Sequence, residues 1–143
     1  MIKSWPVYAT GYHPTPRLEE ARTAAEAIEY RLEGGPVDCK GFPLHTLSEF
    51  LNRQAPFVSI ATQQGFFKYG TMVRIPELEL KFGRRITFLA VDYGGNIGSG
   101  RVDICCKDDD QADRIIGNMT TMTLVAWIGD PGKILWANMV IIQ

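Results

Sequence analysis

Residues 91–104, VDYGGNIGSGRVDI, place two carboxylates within apolar, strand-like sequence. Asp92 follows the apolar run ITFLAV, and Asp103 is flanked by a valine and an isoleucine. Burying a charged side chain in a strand costs free energy unless the charge is paired or hydrated, so a charge at such a position often has a functional role. The four glycines between the aspartates permit a turn, so this segment predicts a strand, a glycine turn and a second strand. Such an arrangement would bring Asp92 and Asp103 together at a sheet edge, where two carboxylates suit acid–base chemistry on a sugar or similar polar substrate.

The alternative is a glycine-rich hairpin without a catalytic role, since Asp before Gly is common in turns.

The rest of the chain indicates one small β-rich domain, residues 1–143. A chain of 143 residues with 45% hydrophobic residues is long enough to build a single core. Many short strands separated by Gly and Pro turns favour a small closed barrel. The predicted strands are 4–12, 57–61, 71–75, 86–91, 101–106, 121–127 and 134–142.

Three short helical segments are predicted outside these strands. Apolar residues recur at helical spacing between Thr15, a predicted cap, and Leu32. Thr46 and Glu49 have the spacing of a capping box before a helix over 47–52. The aspartates at 108–110 are expected to cap a helical turn over 111–116 and to face solvent, not to bind a metal.

Charge and hydropathy exclude several classes of function. The net charge is −1, and no Lys/Arg run marks a nucleic-acid or membrane surface. No phosphate loop is present, so a nucleotide enzyme is not expected. The residues at the N-terminus have no long apolar core and are not expected to be a signal peptide. The apolar stretch 134–142 is too short for a membrane span and is expected to be a buried strand.

Cysteines and histidines predict no metal or cofactor site. Cys105 and Cys106 are adjacent, so on a strand they would point to opposite faces, and Cys39 stands alone. We expect three free thiols, although a bridge from Cys39 to one of the pair is an alternative. His13 and His45 are expected to be solvated or structural.

Three blocks of the chain resemble the three-aspartate (3D) domain of membrane-bound lytic murein transglycosylase A and of small stationary-phase cell-wall lytic enzymes. Residues 91–104 resemble that family's signature DTGGAIKGxRxDI. Residues 68–76, KYGTMVRIP, resemble its PxGTxVxIPG stretch, and 9–12, ATGY, resemble its opening TAY strand. The blocks occur in the family's order and span most of the chain.

The resemblance implies a fold, a reaction and a set of site residues. The fold would be mainly β, a six-stranded double-psi β-barrel with two or three short peripheral helices. The reaction would cleave a peptidoglycan glycan strand and form a 1,6-anhydro sugar, without a cofactor. Asp103 would be the acid/base and Asp92 the second aspartate. The substrate-binding residues would be Gly94, Gly95, Tyr93, Lys40, Thr62 and Tyr69. The location would be the cell envelope or the extracellular space, if an export signal has been removed.

The sequence departs from the family's pattern at its third aspartate. That acid usually precedes the PxGT stretch, but residues 58–65, VSIATQQG, contain no acid, and Thr62 or Gln63 occupies its place. Glu33 and Asp38 could replace it, and Lys40 could supply a basic residue, in a glycine-rich segment that otherwise forms a plain surface turn.

Two other functional interpretations therefore remain open. One is a catalytically silent barrel that binds glycan or another protein, which the missing acid favours. The other is an interaction domain within a larger assembly, for which a wide apolar patch around Trp127, Leu135 and Trp136 would be the sign.

Overall fold

Six strands close into one barrel in a computed structural model of the protein, which describes residues 2–13, 22–25, 28, 37–94, 97, 100–107, 110, 112 and 121–127. The barrel order is β1-β5-β2-β4-β3-β6. The strands are β1 (Ile2–Tyr12), β2 (Val58–Thr62), β3 (Thr71–Arg74), β4 (Phe88–Tyr93), β5 (Arg101–Cys105) and β6 (Thr121–Trp127).

The strand pairing repeats after three strands. The parallel pair β1 and β5 has its counterpart in the parallel pair β4 and β2. The antiparallel pair β1 and β6 has its counterpart in β4 and β3. The antiparallel pairs β2 with β5 and β3 with β6 map onto themselves. The closed six-stranded barrel, with two short helices among the described residues, confirms the predicted mainly β barrel.

Alternation along each strand separates a barrel interior from an outer layer. The interior contains buried apolar residues such as Val58, Ile60, Phe88, Ile104 and Leu124. A second cluster lies on the outer face of β4 and β5 and contains Leu44, Leu89, Val91 and Cys105. Cys106 packs in the interior while Cys105 packs in the outer cluster, which confirms that the adjacent cysteines point to opposite faces.

The first described helix, α1 (Leu47–Leu51), has the predicted capping box. The Thr46 hydroxyl accepts from the Glu49 amide at 3.1 Å, and the Glu49 carboxylate accepts from the Thr46 amide at 3.2 Å. Leu47 and Phe50 supply its buried face.

The second described helix, α2 (Pro76–Phe82), was not predicted from the sequence. Pro76 occupies its first turn and Gly83 ends it with a φ of 66°. The Glu79 carboxylate accepts from the Ile86 amide at 2.9 Å. Strand β4 begins at Phe88, two residues later than predicted, and extends through Asp92 to Tyr93.

Several sequence predictions lie wholly or mostly outside the described residues: the helix from Thr15 to Leu32, the turn over 111–116 and the strand over 134–142. Among the helices that the structure describes, none has the length and apolar character needed to cross a bilayer.

Candidate functional site: a row of two aspartates

The two predicted aspartates lie in one row on β4 and β5, but these strands are not neighbours: β2 lies between them in the closed barrel, so the acids do not meet at a sheet edge as the sequence indicated. Ala61 of β2 pairs with Asp92 of β4 on one side and with Asp103 of β5 on the other. Asp103 in turn pairs with Thr10 of β1. We call Asp92, Ala61, Asp103 and Thr10 the aspartate row. Since neighbouring strands are about 4.8 Å apart, the Cα atoms of Asp92 and Asp103 are separated by roughly 10 Å.

A bulge in β4 brings Asp92 into this row. Ile60 pairs with Ala90, but the next residue, Ala61, pairs with Asp92, so Val91 is the extra residue. By simple alternation Asp92 would share the interior face of Phe88 and Ala90. The bulge shifts the register by one residue and places Asp92 opposite Ala61, on the outer face that Asp103 also occupies.

Two neighbouring side chains hold the Asp103 carboxylate. The Thr10 hydroxyl donates to Oδ1 at 3.0 Å, and Arg101 Nη2 lies 3.6 Å from Oδ2. Arg101 Nε also donates to the Thr10 hydroxyl at 3.1 Å, so Thr10 links the guanidinium to the acid. The Asp103 side chain is only 14% exposed. Burial raises its pKa, and the contacts with Thr10 and Arg101 offset only part of that rise.

The Asp92 carboxyl also has a raised pKa. Burial is the main cause, and the nearby negative charge of Asp38 raises the pKa further. A hydrogen bond from the Tyr93 amide acts in the opposite direction but is smaller in effect. Both aspartates of the row are therefore easier to protonate than an aspartate in water.

Tyr12 and Cys105 lie beside the row. Burial raises the pKa of the Tyr12 hydroxyl, and the nearby Cys105, Asp92 and Asp103 add to that rise. The pKa of the Cys105 thiol is raised mainly by burial. Both groups are therefore protonated at neutral pH, and Cys105 is not an activated nucleophile. Tyr12 packs against the outer cluster, as expected for an aromatic side chain in a core or rim.

The described part of the glycine-rich segment, residues 37–43, forms a turn around Asp38 that is closed by a bridge between Val37 and Pro43. The Asp38 carboxylate accepts from the Lys40 amide at 2.9 Å, from the Phe42 amide at 3.0 Å and from the Tyr69 hydroxyl at 2.5 Å. Lys40 Nζ lies 4.4 Å from the centroid of the Tyr69 ring. Asp38 thus holds this turn together, and its negative charge also raises the pKa of the Asp92 carboxyl. Glu33, the other suggested replacement acid, lies outside the described residues.

Cys39 attaches the same loop to the bulge. Its amide and its thiol both donate to the Val91 carbonyl, at 3.4 and 3.2 Å. Cys39, Cys105 and Cys106 are free thiols.

The remaining predicted substrate-binding residues cluster at the ends of β2 and β4. Thr62 pairs with Tyr93, and the Gly94 amide donates to the Thr62 carbonyl at 3.4 Å. Thr62 is buried, and its hydroxyl donates to the Gln63 carbonyl at 3.5 Å. The Tyr93 hydroxyl donates to the Phe67 carbonyl at 3.5 Å. These residues adjoin the aspartate row at its β2 and β4 members.

At Gly94 the chain itself fills the space that a side chain would need. An added Cβ would lie 2.5 Å from Ile97 Cδ1 and 2.6 Å from Cγ1. Gly94 therefore accommodates Ile97, in addition to any role in substrate approach. Gly95 lies outside the described residues.

The sequence analysis missed three members of this site. Strand pairing alone brings Ala61 and Thr10 to Asp103, and neither residue stands out in the sequence as a partner of that acid. Arg101 carried one usable signal, because residues two apart on a strand share a face and Asp103 follows it at that spacing.

We also searched the described residues for a metal site and compared the chain with known proteins. In the described part of the chain, no three His, Cys, Asp or Glu side chains are grouped so that they could hold a metal ion. His45 stacks edge-on to Phe57 at 4.9 Å and contacts Glu49, which is a structural role. No protein-family model, curated protein or solved structure matches this chain.

Proposed function

We propose that this barrel is a glycan-cleaving enzyme of the lytic transglycosylase type, with Asp103 as its acid/base and peptidoglycan as its substrate. The observation that carries the proposal is the aspartate row, in which two carboxyls with raised pKa flank a small residue on one face of the barrel. The resemblance of residues 91–104 to the three-aspartate signature supports it independently. It also suggests a location in the cell envelope.

The proposed reaction needs one proton donor that later becomes a proton acceptor. Protonated Asp103 gives its proton to the glycosidic oxygen as the bond between that oxygen and the anomeric carbon breaks. The sugar's own 6-hydroxyl oxygen then bonds to the anomeric carbon, and its proton passes to the Asp103 carboxylate. The products are a free hydroxyl on the leaving sugar and a 1,6-anhydro sugar, and Asp103 is protonated again.

We expect Asp92 to bind a sugar hydroxyl and not to act as a nucleophile, because in the proposed reaction the sugar's own 6-hydroxyl attacks the anomeric carbon. The Asp92 and Asp103 backbones lie roughly 10 Å apart on the same face of the barrel, so both side chains adjoin the same surface.

A glycan- or protein-binding barrel without catalysis is the second candidate. It is favoured by the contacts of Arg101 and Thr10 with Asp103, which stabilise the ionised acid. The absence of an acid from residues 58–65, where Thr62 or Gln63 takes the place of the third aspartate that the resemblance implies, also favours it. A binding barrel of this kind could act within a larger protein assembly.

Digestion of purified peptidoglycan distinguishes the two candidates. Mass spectrometry of the products should show 1,6-anhydro muropeptides with the wild type and with Asp103→Glu at reduced yield. Asp103→Asn, which keeps the shape but not the proton, should give none while still binding the glycan. Reducing-end products without anhydro sugars would indicate hydrolysis by the same pocket. Glycan binding by every variant without any product would favour the silent barrel.

A further inference from the structure

A depression rich in arginine lies at the other end of β2 and β4 from the aspartate row. It has a volume of about 520 Å³, and its lining includes Arg53, Arg84, Arg85, Gln54, Phe50 and Pro56. Pro56 and Arg85 precede the first residues of β2 and β4, whereas Ala61 and Asp92 lie near the ends of these strands. At about 3.3 Å per residue, the depression and the row are more than 10 Å apart.

Arg84 is held in a fixed position in the depression. Its guanidinium carbon lies 5.0 Å from the centroid of the Phe50 ring, and Nη1 donates to the Leu51 carbonyl at 3.2 Å. A planar guanidinium that is held in this way keeps its other N–H groups available for a planar or tetrahedral oxyanion.

Arg53 occupies a backbone conformation that favours glycine. Its φ is 61°, and it is the only described non-glycine residue with a positive φ. A left-handed conformation is unfavourable for an arginine, and glycine or asparagine would adopt it more readily. This conformation belongs to the end of α1: the Arg53 and Gln54 amides donate to the Phe50 and Glu49 carbonyls at 3.0 and 2.7 Å, as in a Schellman motif, so the helix end sets the position of the Arg53 backbone.

No acidic side chain lines the depression among the described residues. The carboxylate that acts electrostatically on Arg85 is that of Glu79, which already accepts hydrogen bonds from Arg74 and from the Ile86 amide. Three positive charges therefore share one concave surface of a chain whose net charge is −1.

We propose that this depression binds an oxyanion, a phosphate or carboxylate group, through Arg53, Arg84 and Arg85. Such a site is independent of the aspartate row and of the proposed glycan chemistry. Arg84 provides the fixed donor, Arg53 and Arg85 close on the anion from the exposed rim, and Gln54 can add a neutral donor.

Titration of the full-length protein with pyrophosphate and, separately, with citrate tests this site. Binding is followed by calorimetry and by amide shifts in ¹H–¹⁵N spectra. We expect one site whose affinity falls with added NaCl, with shifts at residues 53–56 and 84–87. Binding of pyrophosphate alone or citrate alone would identify phosphate or carboxylate as the preferred group.

Variants at the rim separate binding from folding. Arg53→Gly and Arg85→Gln should each weaken the anion's Kd about 10-fold or more, since each removes a charge-assisted contact. Arg53→Gly should leave the melting temperature unchanged or raise it, because glycine relieves the positive φ. Lys3→Gln, a control at an exposed lysine on β1, should change Kd less than about 2-fold, as expected for a charge far from the site. Failure of the wild type to bind either anion, or equal Kd values in the rim variants and Lys3→Gln, would overturn the proposal.

Discussion

The Asp103 carboxyl is subject to opposing effects on its pKa. Burial favours its neutral form, while the Thr10 hydroxyl and the Arg101 guanidinium favour the ion. Because burial wins, the folded protein binds the Asp103 proton more tightly than the unfolded chain does. Stability should therefore fall as the pH rises through the interval between the unfolded and folded pKa values.

Asp103→Asn should stabilise the fold at neutral pH. The amide keeps an oxygen that can accept from Thr10 and removes the buried charge, so the free energy of unfolding should rise by an amount on the order of 1 kcal/mol at pH 7. Near pH 3, where both Asp103 and the unfolded aspartate are largely protonated, the gain should shrink. Urea unfolding of wild type and variant at the two pH values checks this, and a variant that is less stable at pH 7 would contradict it.

Gly94→Ala should destabilise the fold through a contact with Ile97. The new methyl would lie within 2.6 Å of Ile97 Cγ1, and such overpacking typically costs about 1–3 kcal/mol. Ile97→Ala removes the clashing atoms, so the double variant should lose less stability than the sum of the single variants. If the stability losses of the two single variants add up to that of the double variant in denaturant unfolding, contact with Ile97 is not what makes a side chain at residue 94 unfavourable.

At the scale of elements, the β4 bulge decides whether the two acids share one face of the barrel. The sequence predicted the strands and both aspartates, because apolar alternation and glycine turns are local signals. It did not predict the extra residue Val91, because a bulge depends on which strand pairs with which. Read by alternation alone, Asp92 would have pointed into the barrel with Phe88 and Ala90.

Helix α2 was missed for a related reason. It has only seven residues, and its signals, Pro76 at the start and Gly83 after the end, could equally be read as turns between strands. Its contribution comes from tertiary contacts. Glu77 accepts from the Thr123 amide and hydroxyl at 2.9 Å, and Glu79 binds Arg74.

Glu79→Gln should destabilise the barrel in a pH-dependent way. Burial alone would raise the Glu79 pKa, but hydrogen bonds from Arg74 and the Ile86 amide outweigh it and hold the pKa below the ordinary value. This stabilisation is present above the unfolded pKa and is lost as the pH falls through the folded pKa. We expect a loss of about 1–3 kcal/mol at pH 7, where Gln can no longer pair with Arg74, and a smaller one at pH 3. Equal losses at both pH values, measured by urea unfolding, would rule out the charged contact as the cause.

Thr46→Ala tests the capping box of α1. Removal of the hydroxyl leaves the Glu49 amide without its cap, and such losses are typically about 1 kcal/mol. Thr46→Ser, which retains the hydroxyl, is the matched control and should stay close to wild type. Thermal unfolding of the two variants gives the comparison, and equal melting temperatures would argue against the cap.

At the scale of the whole molecule, the barrel brings together residues that are distant in the sequence. The pairing of β1 with β5 joins Thr10 to Asp103 across more than ninety residues, and the antiparallel pair β2 and β5 adds Ala61. The sequence therefore supplied the candidate acids, the nearby Arg101 on the same strand and the mainly β barrel, whereas the supporting residues Thr10 and Ala61 emerged only from the topology. Local sequence patterns do not show which distant strands will pair with each other.

Titration of the aspartate carboxyl groups by ¹³C NMR tests the central claim most directly, namely that this fold holds Asp92 and Asp103 as readily protonated acids in one row. We predict that both carboxyls titrate at a higher pH than an aspartate in water. In Thr10→Val, which removes a hydrogen bond to the ion, the Asp103 midpoint should move higher still, while the Asp92 midpoint should change little. Midpoints at or below the ordinary aspartate value for both residues would contradict the row as an acid–base site.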